Sequence, residues 1–133
     1  MTADLALQKA IFAHLAADTS LAALVGARIY DNAPGDAVFP FLVLGENDTR
    51  NWPGGMEHRL ALHCFSRSGG RMEAKGILGA VHAALDDKPL TLEGHNLVNL
   101  RFLDSTTRRE ADGTTWRGTI RFRAITEKTG ETA

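Results

Sequence analysis

The sequence predicts an α+β domain, an antiparallel or mixed sheet of four to five strands with helices packed on one face. Three observations carry this. Over residues 57–67, Leu60, Leu62 and Cys64 alternate with Arg59, Ala61, His63 and Phe65, the period of two of a strand with one buried face. Over residues 71–85, Ala74, Ile77, Leu78, Val81 and Leu85 recur at three- and four-residue spacing, an apolar helical stripe that needs a sheet beneath it. Residues 97–109 and 114–126 flank Asp112-Gly113, a dipeptide suited to a two-residue type I′ turn between antiparallel strands.

Each element follows in order. Thr2 can cap a first helix running to about Ala17, with Leu5, Leu7, Ile11, Phe12 and Leu15 as a broad apolar arc. Asp18, Thr19 and Ser20 interrupt it and can cap a short helix over 21–25, which Gly26 stops. Residues 28–30 read as a short strand and 31–38 as a surface loop of Asn, Pro, Gly and Asp. Residues 39–48 form the next strand, apolar on both faces at its start. Residues 47–55 have the chemistry of a long hairpin loop with Trp52 near its tip, so the strands on either side are antiparallel neighbours.

Ser68 is the expected N-cap of the striped helix, and Gly69-Gly70 permits the reversal that brings it back over the strand. Gly76 and Gly79 lie inside that helix, where each costs roughly 1 kcal/mol relative to alanine, and they read as points of close backbone approach to a neighbour. Residues 86–94 form a polar connector in which Pro89 ends any helical continuation.

In the last hairpin a two-residue turn pairs Leu103 with Phe122, Asp104 with Arg121 and Arg109 with Trp116. One face then carries Trp116, Gly118, Ile120, Phe122 and Ala124; the other carries Arg117, Thr119, Arg121 and Arg123 with Leu100 and Phe102. Arg108 falls opposite Arg117, a like-charge pair that is destabilising without a carboxylate or anion nearby. Three explanations stand open: a solvated face, a β-bulge that shifts the register, or a face that meets acidic groups of another subunit. One domain over 1–126, followed by a polar tail over 127–133, is the expected organisation.

Composition removes several classes of function. With 15 basic and 16 acidic residues and a net charge of -1, the chain has no global field to draw it onto nucleic acid or an anionic membrane. Its first 17 residues carry Asp4, Gln8, Lys9 and His14, so neither a signal peptide nor a membrane span is expected there. The single cysteine, Cys64, reads as a small buried hydrophobe in a protein kept in a reducing cytoplasm. The five histidines do not converge: His58 and His63 fall on opposite faces of one strand, His14 and His82 in different helices, and His95 in a connector. No zinc-ligand spacing, nucleophile elbow, P-loop or dinucleotide fingerprint is present, so catalytic, cofactor and metal residues are expected to be none. The one contrary feature is Gly69-Gly70 ahead of a helix, where an anion-binding or hydrolytic domain could hold a phosphate.

The run from Glu57-His58-Arg59-Leu60 through Ser68-Gly69-Gly70-Arg71, with the helix ending Ala83-Ala84-Leu85, resembles the tail completion (tail terminator) proteins of long-tailed phages and gene transfer agents. So do Gly94-His95-Asn96-Leu97-Val98-Asn99-Leu100-Arg101-Phe102 and the close from Asp112-Gly113 to Arg121-Phe122-Arg123-Ala124. The resemblance spans Leu5 to Thr126 in order. It implies a structural virion subunit that forms a hexameric ring with copies of itself, terminates the tail tube and docks it to the head connector. DNA passes through only as cargo, and no membrane, catalysis or cofactor is involved. Another neck or head-tail connector subunit is the alternative within the same machine. In this setting Trp52, Phe102, Arg108, Arg117, Arg121 and Arg123 are the candidate subunit-interface residues, since Trp and Arg are favoured at interface centres.

Overall fold

The computed structural model describes residues 1–129. Helix α1 (Ala3–Ala16) starts where Thr2 Oγ1 accepts from the Leu5 amide at 3.2 Å. Its buried stripe is Ala3, Ala6, Leu7, Ile11 and Leu15, while Leu5 and Phe12 are exposed. The apolar arc is therefore narrower than expected: small alanines, not Leu5 and Phe12, let the helix lie close on the core. Helix α2 (Thr19–Val25) is capped by Asp18 and ends at Gly26, whose φ of 60° favours glycine.

Strand β1 (Ile29–Tyr30) runs parallel to β2 (Phe41–Trp52), which pairs antiparallel with β3 (Gly55–Ser66). The long loop expected over 47–55 is instead a continuous ladder, bulged between Leu44 and Asn47 and closed at Trp52 opposite Gly55 by Pro53-Gly54 alone. Polar side chains of this stretch have partners in the strand. Asn47 Nδ2 and Thr49 Oγ1 donate to Asp4 of α1, and Arg50 lies 3.5 Å from Glu57.

Helix α3 (Gly70–Leu85) returns over β3 and is followed by β4 (Thr91–Leu92), β5 (His95–Arg109) and β6 (Trp116–Lys128). The sheet order is β1-β2-β3-β6-β5-β4. It has six strands where four or five were expected, because β4 is too short to show a period of its own. Ser68 does not cap α3: Gly69 is the N-cap with no side-chain bond, and Glu73 folds back over it to accept from Ser66 Oγ. A Cβ at Gly76 or Gly79 would meet nothing within 4 Å, so the close approach expected there is not to a neighbour within the chain. Beneath α3 the crowded glycine is instead Gly118 on β6, where a Cβ would lie 2.7 Å from Cys64 Sγ and 3.0 Å from Leu78 Cδ1.

The last hairpin keeps the expected register near its turn, with Arg109 opposite Trp116 and Asp104 opposite Arg121. The turn is not the two-residue type I′. Gly113 N donates to Glu110 O and Glu110 N to Thr115 O, a four-residue loop in which only Gly113 has positive φ. Two- and four-residue loops centred on the same dipeptide give one register, so the pairing survived the wrong turn type. Farther along, a bulge between Phe102 and Asp104 puts Phe102, not Leu103, opposite Phe122. Strand β6 also runs to Lys128, into the stretch expected as tail; residues 130–133 lie outside the described residues.

All three helices clothe one face of the sheet. Leu42, Leu62, Cys64, Leu100, Ile120, Phe122 and Ala124 meet Leu7, Ile11, Leu15, Ile77, Val81 and Leu85 there. At roughly 25 cal/mol per Å² of buried apolar surface, this interlayer supplies most of the drive to fold. The other face has no helix on it, and it is where the chain's charge collects.

Candidate subunit interface on the helix-free face

Along β6 the even residues Trp116, Gly118, Ile120, Phe122 and Ala124 point to the helices, so Arg117, Thr119, Arg121 and Arg123 stand on the free face. Three of the expected interface arginines have carboxylates of their own chain. Arg117 lies 3.7 Å from Glu110, Arg121 Nη1 donates to Asp104 Oδ1 at 3.2 Å, and Arg123 Nε donates to Glu57 Oε2 at 2.5 Å. Glu57 is the hub, its side chain 7% exposed, with Arg50 and Arg59 also within 3.6 Å. The Arg123 hydrogen bond, against the cost of burial, holds its carboxyl below the usual range. Arg108 is the exception: opposite Arg117, it forms no ion pair among the described residues.

Trp52 and Phe102 depart from the expected picture in different ways. Trp52 ends β2, partly exposed, with the Arg123 guanidinium 5.0 Å from its ring centre, so it lies on its own sheet while one side stays open. Phe102 is not on the arginine face at all. The bulge turns it to the helix side, where it stacks on His82 at 4.3 Å and meets Phe122 edge-on; Leu100 is likewise buried there.

Sequence reasoning missed the acidic members. Glu46, Asp48, Leu103 and Asp104 line one hollow of about 320 Å³ with Arg59 and Arg121, although β2 and β5 are separated by two strands. The hollow lies on the free face, among these charged side chains. Glu46 is held below its ordinary pKa chiefly by its hydrogen bond to His63, at 2.9 Å. The alternation Glu46, Asp48, Arg50 was the available signal, and the loop-like composition around it masked the strand.

Elsewhere the chemistry is occupied by structure. Beside the Gly69-Gly70 turn stands the chain's own Glu73, packed against Gly69 and accepting from Ser66 Oγ, while Gly70 N donates to Arg67 O. The groove between α3 and β5, about 460 Å³, brings together Arg71, Lys75, His82 and Thr106 with no carboxylate. His58 is fully buried: Thr49 Oγ1 already donates to Asp4, so it accepts from His58 Nδ1, and Nε2 accepts from Thr126 Oγ1 at 2.8 Å. Among the described residues no group of three or more His, Cys, Asp or Glu could hold a metal, and no helix is long and apolar enough to cross a membrane.

A six-stranded sheet backed by helices on one side and presenting a charged surface on the other defines a small α+β domain. Residues 9–127 match the family described as Tail completion protein gp17, and the chain belongs to that family. It is thus a structural protein of a virion tail and not an enzyme. Among solved structures it is similar to a chain of the "Virion of native gene transfer agent (GTA) particle", with 33% identity and a TM-score of 0.86 over 96% of this chain and 99% of that one. A comparison with curated proteins gives no match.

Proposed function

We propose that copies of this chain, six in number, close a ring on the end of the tail tube, stop its polymerisation and present a docking surface to the head connector. DNA passes through the ring as cargo. The observation that supports this reading is the near full-length likeness to a chain of a gene transfer agent virion, since alignment over nearly all of both chains favours a shared place in the particle. The charged helix-free face agrees with it: turned inward, that face becomes the wall of the opening and the helices its outer surface. Arg117, Arg121 and Arg123 then belong to the wall, while Arg108 and Trp52, nearer the sheet margins, belong to contacts between copies.

The test is genetic and visual. Particles assembled without this gene are expected to carry tails of uncontrolled length and no attached heads, and labelled subunit should localise to the head-proximal tail end. Tails of normal length joined to heads would refute the reading.

A further inference from the structure

The sheet has two long open edges. Strand β1 covers only Leu42 and Val43 of β2, and β4 covers only His95 and Asn96 of β5. The connector after α3 closes a little more of β5, where Asp87 N donates to Leu100 O and Phe102 N to Asp86 Oδ1. Residues 46–52 of β2 and 103–109 of β5 are left with no strand beyond them among the described residues. Open edges of this length are templates for pairing.

Resting on the ring reading above, we infer that the open run of β2 in one copy pairs antiparallel with that of β5 in the next, Glu46 beside Arg108 and Arg50 beside Asp104. Direction permits it. Strands β2, β3, β6 and β5 alternate, so a second copy set beside the first in the same orientation brings β2 antiparallel to β5. The contact is heterologous, each copy offering one edge and accepting the other, as a closed ring requires.

Face and charge then choose the register. For the helix-free face to continue across the junction, Glu46, Asp48 and Arg50 must fall beside Asp104, Thr106 and Arg108. The proposed alignment makes two opposite-charge pairs and sets Asp48 beside Thr106. A slide of two residues one way puts Asp48 beside Asp104 and makes no opposite-charge pair; the other way sets Asp48 beside Arg108 but Glu46 beside Glu110, one favourable contact against one like-charge contact. On the helix side the same alignment sets Asn47 and Thr49 beside Thr107 and Ser105, polar groups able to bond one another. It also brings an acid to Arg108, which faces Arg117 within its own chain.

The offset is compatible with closure. Asp48 stands level with Arg123 of β6 and Thr106 with Thr119, so each copy is displaced four residues along the strands. At ~3.3 Å per residue and ~4.8 Å between strands, about 13 Å of slide over a lateral step of about 19 Å needs a strand tilt of roughly 35°, within the range at which sheets close.

The experiment uses the full chain, alone and with purified tail tubes, read by sedimentation and electron microscopy. Glu46→Arg and Arg108→Glu are each expected to lower ring formation at least tenfold while still melting cooperatively as folded chains, and the double variant should restore it. Asp48→Cys with Thr106→Cys should cross-link neighbours under oxidation. Rings formed normally by both single variants, or loss that the double variant does not repair, would overturn the edge pairing while leaving the ring intact. Single variants that ring but fail to bind tubes would assign the edges to the tube protein instead. A wild-type chain that rings neither alone nor on tubes would sink the ring reading, and this inference with it.

Discussion

Arg123 and Glu57 are joined across neighbouring strands of the helix-free face, Nε to Oε2 at 2.5 Å, with Arg50 and Arg59 gathered on the same carboxylate. Glu57 thus neutralises a patch whose other charges repel. Glu57→Gln should lower the melting temperature at pH 7. Its folded pKa is depressed, so its contribution is present above the ordinary value of 4.5 and is lost as pH falls through the folded value. The difference between wild type and variant should therefore shrink on acidification, measured by thermal melts from pH 7 to pH 3. A constant difference would assign the effect to packing.

His58 couples α1 to the sheet through Thr49 and Asp4, and burial lowers its pKa below 6.5. The unfolded chain takes up the proton first, so this group's contribution is complete above pH 6.5 and declines below it. Its slope approaches about 1.4 kcal/mol per pH unit. His58→Gln is expected to be less stable at pH 8 and to lose less stability than wild type between pH 7 and pH 5. Equal slopes in denaturant titrations would reject a buried neutral imidazole.

Cys64 is fully buried with its thiol directed at Ala74 O, and burial pushes its pKa up to about 11. The native protein should resist a thiol-labelling reagent at pH 8, with labelling that follows the unfolding rate as denaturant is added. Rapid labelling without denaturant would contradict that burial.

Two glycine substitutions should act in opposite directions. Gly118→Ala drives a methyl group onto Cys64 and Leu78 and is expected to cost about 1–3 kcal/mol by overpacking. Gly76→Ala meets open space within a helix and should add up to about 1 kcal/mol. Thermal melts of the two variants decide this, and a destabilising Gly76→Ala would restore the idea of a close neighbour at that point.

Periodicity made α1, α3 and the long strands legible, because alternation and helical spacing are local properties that burial on one face imposes on the chain; α2 was legible from its cap residues and Gly26. The same pattern failed where two structures share one composition. Residues 47–51 are polar in a turn or in an edge strand alike, and it is pairing with β3, with Asp4 on α1 and Glu57 on β3 as side-chain partners, that makes them a strand.

The sequence alone established an α+β domain with one helix-backed face, the antiparallel last hairpin and the resemblance to tail completion proteins. Which face Phe102 joins, which carboxylate each arginine meets and which edges stay open were decided only by the tertiary structure. A bulge is a one-residue event with no periodic signature, yet it turns the side chains beyond it to the other face, as at Phe102; the Glu57–Arg123 pair joins residues 66 apart in the chain, and the open edges depend on the order of all six strands.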